Sequence, residues 1–95
     1  MSIHYALESV KDLERLRQFI ADKNPTAASV IVNEIKQAIK KLGKFPLMGV
    51  EVANEINPKD IRDLFIGHYT VRYLVANNAI FILRLWHDKE NERNK

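Results

Sequence analysis

From residue 60 onward apolar and polar side chains alternate through IRDLFIGHYTVRYLVANNAIFILRLWHDKENER, with breaks at Gly67-His68 and Asn77-Asn78. A period of two, interrupted by two-residue turn formers, predicts three consecutive antiparallel strands. Two asparagines tolerate the positive φ that a type I′ turn needs at both central positions, and this sets a register. Ala76 then faces Ala79, Val75 faces Ile80, Tyr73 faces Ile82, Val71 faces Arg84 and Tyr69 faces Trp86. With a second tight turn at Gly67-His68, Ile66 faces Tyr69, Leu64 faces Val71, Asp63 faces Arg72 and Arg62 faces Tyr73. One side of the ribbon thus carries Arg62, Leu64, Ile66, Tyr69, Val71, Tyr73, Val75, Ile80, Ile82, Arg84 and Trp86. The other carries Ile61, Asp63, Phe65, Thr70, Arg72, Leu74, Ala76, Phe81, Leu83, Leu85 and His87. Both sides are rich in apolar groups, whereas an antiparallel sheet open to water shows one polar face. The first side is expected to be the core and the second a partly apolar surface for a partner.

Upstream, SIHYAL at residues 2–7 reads as an edge or joining strand. Ser9 with Asp12 three residues later has the form of a capping box, and Val10, Leu13, Leu16, Phe19 and Ile20 recur at helical spacing, which predicts a helix over residues 10–22. Asn24-Pro25 opens a second helix, with Asn as cap and Pro at its first position. Ala28, Ile31, Val32, Ile35, Ala38, Ile39 and Leu42 line its stripe, and Gly43 closes it. Lys40 and Lys41 complement the dipole of its last turn. So short a connection predicts an antiparallel helical hairpin. Pro46, Gly49, Asn54, Asn57 and Pro58 then mark a loop over residues 44–59, with Val50 and Val52 placed to pin it. The expected fold is α+β, an N-terminal strand and helical hairpin packed on a small antiparallel sheet, in one domain spanning residues 1–95.

Composition narrows the class. Of the 95 residues, 46% are hydrophobic and 28% charged, as in ordinary globular chains. No apolar run approaches the roughly 18 residues of a membrane span, and no signal-peptide core is present, so a cytoplasmic protein is expected. The absence of cysteine excludes disulfides and thiolate metal sites and suits a reducing compartment. The net charge of +3 comes from residues 1–48, which hold eight Lys/Arg against five Asp/Glu, while residues 49–95 hold seven of each. That mild excess permits an acidic partner without the concentrated positive field of a dedicated nucleic-acid binder.

The blocks NPTAA, KFPLMG, IRDLFIGHYTVRYLV and ILRLWHDKENER, in this order and spacing, resemble the RelE/ParE toxin superfamily of bacterial type II toxin–antitoxin modules. The resemblance covers essentially the whole chain, and the Arg-x-Leu, Gly-x-Tyr-x-x-x-Tyr and Leu-Arg-x-Trp-His blocks are more similar to ParE than to RelE. A ParE-like toxin is implied to be a growth-inhibiting, plasmid-stabilising protein without cofactor that binds DNA gyrase, traps its cleaved-DNA complex and is neutralised by a cognate antitoxin. A RelE-like toxin is implied to be a ribosome-dependent mRNA endonuclease using basic strand residues and a C-terminal Tyr or His. The strand positions that carry the charge in that pattern fall here on Ile61, Asp63 and Thr70, which cannot stabilise a phosphorane. A nuclease would have to work with His87, Lys89, Arg62 and Arg72. A third alternative is a binding module of the same fold without toxicity.

His87 is the best acid–base candidate, histidine being the residue type suited to proton transfer at neutral pH, with a strand-end aromatic as the plainer role. His4 and His68 read as a strand and a turn residue, and the three histidines share no metal-ligand spacing. Arg72 opposite Asp63 predicts a cross-strand ion pair, Arg62 beside Tyr73 a stacking contact, and Arg84 a structural role on a carbonyl or carboxylate. The basic run Lys36, Lys40, Lys41 and Lys44 reads as a solvated face, and the tail HDKENERNK, with Arg93, as a frayed end. Binding to target or antitoxin is expected of Ile61, Phe65, Thr70, Arg72, Leu74, Phe81, Leu83 and Leu85.

Overall fold

A computed structural model describes residues 1–52 and 60–90. In chain order the elements are β1 (Ser2–Tyr5), α1 (Leu7–Lys23), α2 (Pro25–Lys41), β2 (Val50–Glu51), β3 (Ile61–Ile66), β4 (Tyr69–Ala76) and β5 (Ala79–His87). They build one sheet in the order β1-β5-β4-β3-β2. The β3-β4-β5 meander is antiparallel as its alternation predicts, but β1 lies parallel to β5, so the sheet is mixed rather than purely antiparallel. β2, two residues within the predicted loop, pairs Val50 with Asp63 and Glu51 with Arg62. Residues 53–59 of that loop, including Asn54, Asn57 and Pro58, and Arg93 of the tail lie outside the described residues.

Both tight turns form. Asn77 and Asn78 have φ of 53° and 59°, the left-handed pair required by a type I′ hairpin, and Gly67 supplies a φ of 56° at the other turn. The β3–β4 register is the predicted one throughout, from Ile66 opposite Tyr69 to Arg62 opposite Tyr73. The β4–β5 register holds from Ala79 to Ile82 and then slips. Tyr73 pairs with Ile82 but Arg72 pairs with Arg84, which leaves Leu83 as the extra residue of a bulge. One inserted residue exchanges the two faces for everything after it. Val71 therefore opposes Leu85 instead of Arg84, and Tyr69 opposes His87 instead of Trp86.

The first side of the sheet does carry the core. Leu64, Val71, Tyr73, Ile80 and Ile82 pack with Leu16 of α1, with Ile35 and Ile39 of α2, and with Leu42. Leu85, which the uninterrupted alternation assigns to the second side, is fully buried in this cluster. Trp86 and Arg84 leave the first side in exchange.

The helices pair as a hairpin joined by Asn24 alone. Asn24 Oδ1 accepts from the Ala27 amide at 3.1 Å, Pro25 takes the first helical position, and the predicted α2 stripe faces inward. α1 departs from its prediction. It begins at Leu7, and the inward residues are Ser9, Asp12, Leu16 and Ile20, while Val10 and Phe19 stand exposed. The capping box does not form: Ser9 Oγ donates to the Ala6 carbonyl at 2.7 Å, and no side chain caps the helix. Asp12 is turned inward because the sheet needs it there. β1 ends opposite Ile82, so among the described residues no strand lies beside the outer edge of β5 beyond that point. Asp12 Oδ2 accepts from the Leu85 amide at 3.0 Å and from Arg84 Nε at 2.8 Å, and Oδ1 accepts from Arg84 Nη2 at 3.1 Å.

Candidate interaction site

The second side of β3, β4 and β5 divides into an apolar field and a polar anchor. Phe65 is exposed, and Ile61, Leu74, Phe81 and Leu83 are half-buried. His4 of β1 stacks on Phe81 with ring centroids 5.3 Å apart, extending this field toward the sheet edge. The anchor is Arg72, buried despite its charge. Its Nε and Nη2 reach the two carboxylate oxygens of Asp63 at 2.8 and 3.0 Å, and its guanidinium lies 5.2 Å from the Trp86 ring centroid. A bidentate pair of this geometry fixes the plane of the guanidinium, and the aromatic face screens it from water. The predicted cross-strand ion pair is thus present. Thr70 and Trp86, like Arg72, are buried, so the exposed contact area comes from the aliphatic and aromatic residues.

Of the eight residues expected to bind a partner, Ile61, Phe65, Leu74, Phe81 and Leu83 keep accessible surface. Thr70 and Arg72 are buried, and Leu85 is a core residue because the Leu83 bulge turns it inward. The alternation could not show this, since a bulge adds one residue without breaking the run of apolar letters.

The four residues of the nuclease alternative do not converge. Arg62 is spent on the loop before β2, donating from Nη1 to the Gly49 and Leu47 carbonyls at 2.8 and 3.3 Å. Its predicted stacking on Tyr73 is replaced by a joint task. Tyr73 Oη donates to the Pro46 carbonyl and accepts from the Gly49 amide, both at 2.8 Å, so the two side chains grip one loop. A Cβ on Gly49 would come within 2.7 Å of Tyr73 and 2.9 Å of the Asp63 carbonyl oxygen, which is why only glycine fits. His87 lies at the far end of the sheet opposite Tyr69, four residues along β4 from Tyr73, which is roughly 13 Å of extended chain. The Tyr69 and His87 rings meet edge to face at 5.0 Å. His87 Nδ1 accepts from the Lys89 amide at 3.0 Å, so a neutral ring carries its proton on Nε2. Burial, and then the Glu90 charge, push the Tyr69 hydroxyl above its ordinary value, which keeps it a neutral phenol. Arg72 opens on the opposite side of the sheet. Arg84 reaches a carboxylate, as its composition predicts, but that of Asp12 across the sheet edge.

Among the described residues no group of three or more His, Asp or Glu could hold a metal, and no helix is long and apolar enough to cross a membrane. The arrangement offers a partly apolar surface on which Arg72 is already paired with the Asp63 carboxylate.

Comparison with known proteins points one way. A family model described as the ParE toxin of a type II toxin–antitoxin system, parDE, matches residues 3–92. A solved structure of the chromosomal ParDE toxin–antitoxin system from P. aeruginosa superposes with a TM-score of 0.77 at 21% identity, over 92% of this chain and 95% of that one. At that identity the likeness shows the fold. The comparison with curated proteins found no match.

Proposed function

The chain belongs to the ParE toxin family of type II toxin–antitoxin systems, and from that premise we propose that it acts in the cytoplasm on DNA gyrase, trapping the enzyme on cleaved DNA until a cognate antitoxin neutralises it. The observation that carries the reading is the second flank of the sheet: Phe65 exposed among half-buried Ile61, Leu74, Phe81 and Leu83, with Arg72 clamped on Asp63. Such a surface gains free energy by removing apolar area from water against another macromolecule and has no need of a proton donor. The separation of Arg62 and Arg72 from each other and from the adjacent His87 and Lys89 supports the same choice over mRNA cleavage.

Purified protein is expected to inhibit gyrase supercoiling with accumulation of linear DNA, and to leave mRNA on ribosomes uncut. Replacing Phe65 by Ser is expected to weaken inhibition about tenfold, the loss of one well-packed aromatic contact. Codon-phased mRNA cleavage with untouched supercoiling would overturn the reading.

A further inference from the structure

A further apolar surface lies in the segment between α2 and β2. Phe45, Leu47 and Met48 are 59%, 62% and 45% exposed, whereas Val50, opposite Asp63, belongs to the second flank itself. Exposed apolar residues scattered singly are ordinary, but three within four positions form a patch. Their exposure is imposed from beneath. The Pro46, Leu47 and Gly49 carbonyls and the Gly49 amide are held inward by Tyr73 and Arg62, so the side chains between them are turned out. A loop fixed in this way loses little freedom when a partner arrives.

The rim of the patch is basic. Lys40, Lys41 and Lys44 line a shallow groove with Gln37, Gly43 and Phe45, and no carboxylate lines it. Apolar anchors beside a lysine-lined groove select a ligand that presents apolar side chains flanked by carboxylates. The same charges disfavour a second copy of this chain, which would bring lysine against lysine.

We propose that this patch docks an acidic amphipathic segment of the antitoxin, with its apolar side chains on Phe45, Leu47 and Met48 and its carboxylates toward Lys40, Lys41 and Lys44. The partner's identity rests on the family reading, while the location and chemistry rest on the residues above. The toxin's two apolar surfaces are then divided, one for the target and one for the neutralising partner.

The test titrates the isotopically labelled full chain with an amphipathic peptide of Leu and Glu about four helical turns long, following amide shifts. Shifts concentrated at residues 40–50, and binding weakened about tenfold by Leu47→Glu and by the Lys40→Glu/Lys44→Glu double variant, are the expected result. All three positions are exposed, and circular dichroism checks that the variants stay folded. Shifts on the β3–β5 flank, indifference to these substitutions, or stronger binding to duplex DNA or to anionic vesicles than to the peptide would each overturn it. Gyrase inhibition by the same variants is expected to stay unchanged, and its loss along with peptide binding would mean that the patch belongs to the target. If the unaltered chain spares gyrase yet binds the peptide at residues 40–50, the gyrase reading fails and this inference stands.

Discussion

The two margins of the sheet face one problem, a strand edge without a full neighbour, and finish it with different chemistry. At β5, past the end of β1, the edge is closed by charge: Asp12 on the Leu85 amide, Arg15 on the Leu85 carbonyl at 3.4 Å, and Glu90 on the His87 amide at 3.0 Å. Arg84 and Arg15 hold Asp12, and Arg15 also reaches Glu90 at 2.7 Å. At β3 the neighbour is the two-residue β2, and the chain before it is held by a neutral phenol and by an arginine on backbone carbonyls. The first solution buries Asp12, leaves Arg15 and Glu90 half-buried, and closes the margin with paired charges. The second ties down backbone and leaves apolar side chains facing out, so one edge is a seal and the other a display.

Removing one partner from each device is the sharpest way to separate them. Asp12→Ala removes the buried carboxylate that the Leu85 amide and the Arg84 guanidinium share, and a loss of about 3–5 kcal/mol is expected in urea unfolding. Tyr73→Phe leaves the Gly49 amide and the Pro46 carbonyl unanswered, at about 1–3 kcal/mol, with faster hydrogen exchange at Gly49 as its local mark. Equal losses from the two substitutions would erase the distinction between charged and neutral closure.

Acid should weaken the β5 margin through Asp12. Burial by itself would raise the Asp12 carboxyl, but the Arg84 and Leu85 hydrogen bonds and the Arg84 and Arg15 charges outweigh it and hold the group below its ordinary value. A depressed carboxyl contributes stability in full above its unfolded value of about 3.9, and that stability fades as pH falls through the lower folded value. Thermal melts between neutral pH and about pH 3 should therefore show an acid limb that Asp12→Asn flattens and Tyr73→Phe leaves in place. The smallest effect is expected on the open flank. Phe65→Ser should change stability by less than about 0.5 kcal/mol even as it weakens gyrase inhibition, and a large loss of stability would show that this flank is packed rather than offered.

The hairpin turns, the β3–β4 register and the α2 stripe were legible because each depends on local chemistry: asparagines in left-handed φ, a period of two, a period of 3.6. Two features escaped, and for related reasons. The inward face of α1 was assigned by its apolar letters, yet Asp12 belongs inside because an amide and an arginine seventy residues later need a carboxylate. Its signal was present in the series Ser9, Asp12, Leu16 and Ile20, which has helical spacing but begins with two polar residues. The Leu83 bulge, which moved Leu85 into the core and Trp86 beside Arg72, leaves no mark in an apolar run.

Sequence alone determined the two helices, the N-terminal strand and the three-strand meander, where the chain reverses, and that more apolar surface exists than one hairpin covers, since all of these follow from interactions between near neighbours. Tertiary structure alone decided that β2 forms within a loop, which residues meet across the sheet edge, which face the last four residues of β5 present, and that Phe45, Leu47 and Met48 stand outward instead of folding in. Those outcomes depend on hydrogen-bonding groups left over when distant elements of unequal length are brought together, and no local pattern records what such a mismatch leaves unpaired.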